Sequence, residues 1–513
     1  MRACGALPPH SEKFLMTALI IHGHFYQPPR ENPWTGKVER ELGASPYHDW
    51  NERIHEECYR ANAFAHIVGA NNTIEQTVNT YARINFNFGP TLLSWLEPHH
   101  PKTYERIIEG DRESACKRSG HGNAIAQAYG HAILPLCNER DARTQVLWGL
   151  ADFRYRFGRE PEAMWLPETA CDDETLDLLI DNELRYLILA PAQAERFRAV
   201  DGEWRAVSDG GIDTTRAYHY FHRDGSRRSI AIFFYHGPLS RAIAFEKALA
   251  SSNALVEMFS RADGPMVSVA TDGETYGHHF KFGDLCLAHA LEIEAKERGF
   301  WVTNYGEFLD HFPPELEVEI KKGPDGKGTS WSCAHGVGRW TDDCGCHTGG
   351  EPGWNQKWRG PLRAALDYLR DAVACQFESV GADLFIDPWE ARNHSIELVL
   401  NQNRSREEFL ARHAKRPLSR FEQLRALMLL EAQRHALLMY TSCGWFFSDI
   451  AGLETIQILK YAARVIDLME EVGLPSPRAT FLEVLSEARS NITAEGTGAD
   501  VYLRFAELAP AMN

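Results

Sequence analysis

The sequence predicts an α/β fold, either a barrel or a large α/β layer, followed by a separate α-helical region. Three observations carry this. Short β-branched or aromatic runs recur through the first 270 residues, at 17–21, 83–88, 123–127, 162–166, 185–189, 229–235 and 266–270. Helix-like stretches separate most of them, and strands alternating with helical patterns make βαβ units and a parallel sheet. Near residue 310 the pattern changes, and amphipathic helical periodicity dominates the rest of the chain.

The elements follow in order. Between the fourth and fifth strand runs, 172–183 places Leu176, Leu179 and Ile180 on one face and carries acids in its first turn, the favoured place for negative charge on a helix. After the seventh run, 321–330 (KKGPDGKGTS) is a Gly/Lys-rich turn. The stretch 331–359 is rich in Trp, Gly and Cys, and is too long and irregular to be a mere connector. Gly360-Pro361 opens a helix, because Pro suits the first helical position. Leu362, Ala365, Leu366, Leu369 and Val373 then keep amphipathic spacing. Further helices are expected over 421–440 and 453–471, the latter stopped by Gly473 and Pro475. The expected division is a disordered tail at 1–15 (or a true start at Met16), an α/β catalytic unit at 16–310, a cleft-lining loop at 311–360 and a helical domain at 361–513.

Composition narrows the function. The 513 residues suit two to four domains. The 54 Lys and Arg against 71 Asp and Glu leave a formal charge of −17, which argues against nucleic-acid and polybasic membrane partners. No apolar run approaches the roughly 18 residues that span a bilayer. The N-terminus has no secretory pattern, and 11 cysteines are too sparse for a disulfide scaffold, so a cytoplasmic, reducing location is expected.

Four segments concentrate ionisable and aromatic residues just past a strand, where barrel enzymes collect catalytic groups. The first is His22-Gly23-His24-Phe25-Tyr26-Gln27-Pro28-Pro29; its alternative reading is two histidines hydrogen-bonded in a loop. The second, Trp165-Leu166-Pro167-Glu168-Thr169-Ala170, sets a carboxylate at a strand end, although Glu168 could equally cap the next helix. The third, Thr271-Asp272-Gly273-Glu274-Thr275-Tyr276-Gly277-His278-His279, offers two acids and two histidines, with a plain turn as competitor. The fourth is Cys333-Ala334-His335 with Cys344-Gly345-Cys346-His347. Its spacing lacks the paired CxxC knuckle, so free, partly buried thiols are expected rather than a structural zinc. His121, Asn123, Gln127 and His131 form a further polar strand end, either sugar-binding or a hydrogen-bonded loop.

Glu168 and Asp272 could face each other across the mouth of the strands. Two carboxyls about 5–5.5 Å apart are what a retaining glycosidase uses, one as nucleophile and one as acid/base. Trp34, Trp165, Trp331, Trp340, Trp354, Trp358 and Trp445 are candidates to stack on sugar faces, with core packing as the competing role. No G-x-S-x-G elbow, P-loop or helix-opening G-x-G-x-x-G is present, so serine hydrolases and nucleotide enzymes lose their simplest support.

Together these segments resemble glycoside hydrolase family 57. His22 to Pro28 resembles its first motif, Trp165-Leu166-Pro167-Glu168 its third, Thr271-Asp272-Gly273-Glu274 with Gly277 its fourth, and Thr441-Ser442-Cys443-Gly444-Trp445-Phe446 its fifth. The resemblance covers 17–475 and implies a distorted, TIM-like (β/α)7 barrel closed by an α-helical bundle domain. It also implies retaining chemistry on α-glucans: hydrolysis, 4-α-glucanotransfer or branching, with no cofactor or metal. By the same resemblance Glu168 would be the nucleophile and Asp272 the acid/base. His22, His24, Gln27, Trp34, His121, Asn123, Trp165, Glu274, His278, Trp331, Trp340, Trp354 and Trp445 are the expected sugar-binding residues, the partner being an oligo- or polysaccharide.

Two departures bear on the substrate. Gly122-Asn123-Ala124-Ile125-Ala126-Gln127 stands where the family's second motif usually has a Glu, and Gly444 stands where the fifth often has an Asp, with Asp449 further on. Two competing functions remain. One is a metal-dependent deacetylase in which His22, His24 and Asp272 hold a divalent ion and Glu168 is the base. The other is a non-catalytic carbohydrate-binding protein.

Overall fold

A computed structural model describes residues 16–507, apart from 70, 72, 200, 209 and 401–405. The expected tail at 1–15 lies outside the described residues.

Seven parallel strands lie where the apolar runs place them: β1 (Ala18–Phe25), β2 (Asn85–Phe88), β3 (Ala126–Gln127), β4 (Met164–Trp165), β5 (Tyr186–Leu189), β6 (Ser229–Phe234) and β7 (Met266–Asp272). Central parallel strands are covered on both faces, which is why they read as near-continuous apolar runs. β1 pairs with β7 from Ala18↔Met266 to His24↔Asp272, and with β2 from His22↔Asn85 to Phe25↔Phe88. A single bridge, Phe86↔Ala124, links β2 towards β3, which pairs with β4; another, Ala163↔Tyr186, links β4 towards β5, which pairs with β6. Between β6 and β7 no ladder runs among the described residues, and the backbone hydrogen bond from His236 N to Ser268 O, 2.7 Å, bridges them. The strands therefore belong to several short sheets rather than one continuous ladder.

β3 and β4 are only two residues long. Gly149, in the helix Glu139–Phe157, lets that helix lie directly on β3, since a Cβ there would fall 2.0 Å from Gln127 O. Pro167, two residues past β4, has no N–H with which to extend the ladder. On the other side, β5 and β6 continue into a mixed sheet through Ala217–Phe221, Leu316–Ile320, Ala194–Ala199 and Arg205–Ala206. Leu316–Ile320 thus belongs to the α/β unit, which runs past the expected boundary at 310.

The long helices of the C-terminal region are Arg359–Leu384, Arg420–Leu438 and Leu453–Glu471, all close to their expected positions. Leu362, Leu366, Phe377, Leu429, Ile458 and Val465 meet in one apolar core. Tyr129, Trp148 and Ala170 of the α/β unit enter the same core, so the two regions share buried surface. No described helix is long and apolar enough to cross a membrane.

Candidate active site

The β1–β7 register sets His24 beside Asp272 at the C-terminal strand ends. Glu168 follows β4 in an unusual backbone: its φ is +59° and ψ +19°, and Thr169 also has a positive φ, +49°. Successive non-glycine residues in the left-handed region carry strain, so their surroundings must hold them. Gln193 does so, accepting from Thr169 Oγ1 at 2.9 Å and donating to Thr169 O at 2.8 Å. Trp331 N donates to Glu168 O at 3.0 Å.

The two carboxyls have unequal environments. Glu168 Oε2 accepts from Trp331 Nε1 at 3.0 Å and from Ser332 Oγ at 2.6 Å. Burial pushes its pKa up, while these two donors and the charge of Arg339 favour its ionised form. No described residue donates to the Asp272 carboxyl. Its side chain still meets solvent, yet the surrounding wall strips much of its hydration. Desolvation first, and the charge of Glu168 second, push it up to about 7. Both groups stand just past the C-terminal ends of their strands.

Glu274 is turned into the protein. Its Oε1 accepts from Tyr26 N at 3.0 Å and Tyr59 Oη at 2.7 Å, and burial followed by the charge of Asp272 pushes it up to about 8.

Beneath the carboxyls lies an aromatic and amide layer. Trp165 stacks on His22 and His24, with ring centres 4.6 and 5.1 Å apart. Trp331 meets Trp165 edge-on at 5.1 Å. His22 Nδ1 lies 3.0 Å from Asn85 Oδ1 and its Nε2 3.1 Å from Asn87 Oδ1. His24 Nε2 lies 3.1 Å from His131 Nε2, and His131 Nδ1 lies 2.7 Å from Ser442 Oγ, so the helical region reaches the site through this pair. Burial lowers His22 to about 4 and His24 to about 3, keeping both neutral. Tyr26 Oη, Gln127 Nε2 and Trp165 Nε1 around His24 are buried with no hydrogen-bond partner among the described residues. With both ring nitrogens of His22 facing side-chain amides, the expected alternative of a His22–His24–Asp272 metal site does not match the geometry.

Several expected sugar-binding residues lie elsewhere. His121 sits at the opposite strand ends, between Glu162 at 3.0 Å and Asp310 at 2.9 Å. Asn123 ties Tyr81 O to Asn304. Both therefore organise the opposite end of the strands. His278 pairs with Glu57, away from the carboxyls. Trp340 and Trp445 are wholly buried, donating to Ser442 O and Arg359 O, so they are core residues without a face for a sugar. Trp34 donates to Asp467 at 2.8 Å and pins its loop to the helix Leu453–Glu471. Trp354 packs on Gly350 within the insert. Gln27 accepts from Arg30 at 3.2 Å. Asp449 caps its own loop, accepting from Ala451 N, Ser490 Oγ and Asn491 N. Conversely, Ser332, Tyr59 and Asn87 were not singled out by the sequence. Only the adjacency of Ser332 to Trp331 hints at its place.

A family model described as glycosyl hydrolase family 57 matches residues 18–321, more than half of the chain. The chain belongs to glycosyl hydrolase family 57. A second model, described as a domain of unknown function (DUF3536), matches 354–512, the helical region of this family 57 member. Among solved structures the fold is similar to that of an exo-type maltose-forming amylase from Pyrococcus sp. ST04, with a TM-score of 0.63 at 16% identity, covering 89% of this chain and 80% of the other. A branching enzyme from Pyrococcus horikoshii gives 0.53 at 15% identity, covering 94% and 96%. A 4-alpha-glucanotransferase from Thermococcus litoralis gives 0.50 at 14%, covering 89% and 60%. In sequence, this family 57 member is 23% identical over 196 residues to alpha-amylase 1 of Dictyoglomus thermophilum; the match spans 38% of this chain and about a quarter, 26%, of that relative.

Proposed function

We propose that this protein is a retaining glycoside hydrolase or transglycosylase acting on α-glucans, with Glu168 as nucleophile and Asp272 as general acid/base. The observation that carries this reading is the asymmetry of the pair. Glu168 receives two hydrogen bonds that favour the anion, while Asp272 receives none and is pushed up to about 7. Two neighbouring carboxyls with separated proton affinities are the arrangement double displacement needs. Glu168 attacks the anomeric carbon as protonated Asp272 gives its proton to the departing glycosidic oxygen. Asp272, then ionised, takes a proton from the acceptor as the glycosyl–Glu168 bond is displaced. Water as acceptor gives hydrolysis; a sugar hydroxyl gives transfer. The amylase, branching enzyme and glucanotransferase among similar folds support α-glucan as substrate. The succession of β1 to β7 supports a distorted (β/α)7 barrel. His22, His24 and Trp165 form the floor beneath the reacting sugar, and Trp331 its wall.

Chromatography of maltoheptaose and amylose digests tests the reading. Wild type should yield shorter or longer glucans and Glu168→Ala none. Asp272→Asn should be slowed strongly on glucans, and least on aryl glycosides whose leaving group needs no proton. Full activity of Glu168→Ala on a natural glycan would overturn the assignment.

A further inference from the structure

The insert between the α/β unit and the first long helix folds back so that four soft donors converge. Cys333 Sγ, His335, Cys344 Sγ and Cys346 Sγ each offer an atom, and all four lie within 4.8 Å of one another. Cys333 Sγ and Cys344 Sγ are 3.9 Å apart, and Cys346 Sγ is 3.5 Å from His335 Nδ1. Zn–S bonds of about 2.3 Å and Zn–N bonds of about 2.0–2.1 Å at a tetrahedral centre put sulfurs roughly 3.8 Å apart and sulfur and nitrogen roughly 3.5 Å apart. Both measured separations fit. A disulfide needs about 2.05 Å, far shorter than the separation seen.

A second observation is electrostatic. Arg359 is wholly buried at the start of the helix Arg359–Leu384. Its guanidinium donates to Cys346 O at 2.8 Å and Phe447 O at 3.4 Å, its Nε has no partner, and no carboxylate pairs with it among the described residues. An uncompensated buried cation is costly. Three thiolates and one imidazole on a divalent ion carry a net charge of −1, directly beside this cation. Gly345, at φ +83°, supplies the turn that lets Cys344 and Cys346 face the same point.

We propose that Cys333, His335, Cys344 and Cys346 form a closed, structural Cys3His zinc site. The ligand set is soft and complete, leaving no position for substrate, which is the pattern of structural rather than catalytic zinc. Binding takes all three sulfurs as thiolates, releases the protons they still carry and converts a glycine-rich insert into a fixed clasp. Cys333 directly follows Trp331 and Ser332, so the clasp anchors the two residues that hold Glu168. The metal assignment itself does not depend on the reaction class.

The test is metal analysis of the full chain, purified reduced and without chelator. About one zinc per chain is expected, and replacement by cobalt(II) should give the visible absorption of a tetrahedral thiolate site. Cys344→Ser/Cys346→Ser should lose the metal. If that variant does not fold, X-ray absorption at the zinc edge of the wild type still reports three sulfurs and one nitrogen, or does not. Wild type free of metal above the buffer background, metal retained by the folded double variant, or a ligand shell without sulfur would each overturn the proposal.

Discussion

The hydroxyl of Ser332 donates to Glu168 Oε2 across 2.6 Å, joining two residues 164 positions apart in the chain. Through this bond the insert after the α/β unit reaches into the strand-end cluster. A hydrogen bond to a charged group contributes roughly 1.5–3 kcal/mol, which is roughly one to two pKa units on the carboxyl that accepts it. Ser332→Ala should therefore lower kcat/KM at acidic pH, where less of Glu168 is then ionised, by up to roughly 10- to 100-fold. It should also move the acidic limb of the pH profile upward, because the lost donor favoured the ionised carboxyl. An unchanged acidic limb would mean that Glu168 does not set it.

The proposed role of Asp272 as acid assigns the basic limb to it. With its carboxyl pushed up to about 7, the protonated acid disappears as pH rises through neutrality, so kcat/KM should fall on that side with a midpoint about 7. A steady-state profile between pH 5 and 9 checks this.

The same shift has a sign in stability. The folded state holds a proton on Asp272 that the unfolded chain releases near the ordinary carboxylate value of 3.8, so the native state loses stability as pH rises from that value to about 7. Asp272→Asn cannot ionise. Its melting temperature should match that of wild type near pH 4 and exceed it increasingly towards pH 8. The difference includes relief of Glu274, whose carboxyl Asp272 also pushes up. A gap that narrows as pH rises would contradict the assigned shift.

Much of the α/β unit was legible because buried parallel strands advertise themselves as apolar runs. The ends were less so. The expected runs begin at 83 and 123, whereas β2 begins at Asn85 and β3 at Ala126, and the buried Asn123 is held by side-chain hydrogen bonds outside the ladder. Tryptophan roles were not legible at all. Trp331 donates to a carboxylate while Trp445 fills a core, and nothing in the residue type separates them. His131 was visible as a polar strand-end residue, but its partner Ser442 is 311 positions away. The Cys333–His335–Cys344–Cys346 cluster lacked a familiar spacing because the Gly345 turn, not a knuckle, brings the sulfurs together.

Trp445 gives a prediction that separates packing from recognition. Its ring is fully buried, with the Arg363 guanidinium 4.6 Å from its centre. Trp445→Ala should cost about 3–5 kcal/mol of stability by leaving a cavity. Glucan KM should change little in molecules that remain folded. Unfolding by denaturant, read beside KM, checks both halves; a large KM rise with unchanged stability would restore the stacking role expected from the sequence.

The last prediction concerns the backbone of Glu168. At φ +59° and ψ +19° any residue with a Cβ is strained, at a cost of order 1–3 kcal/mol, whereas glycine adopts this region freely. Elsewhere Gly melts below Ala, because it loses more conformational freedom on folding, by roughly 0.5–1 kcal/mol within regular structure. At this position the order should reverse. Glu168→Gly and Glu168→Ala both lack the carboxylate and should both be inactive, so their comparison isolates the main chain. Glu168→Gly should melt higher than Glu168→Ala, showing that the left-handed turn is a strain the fold sustains to present Glu168 to Trp331 and Ser332. If Glu168→Ala melts higher, the turn has relaxed once the side chain is gone, and the strain belongs to the carboxylate's hydrogen bonds rather than to Gln193 and Trp331 N, which hold the main chain on either side.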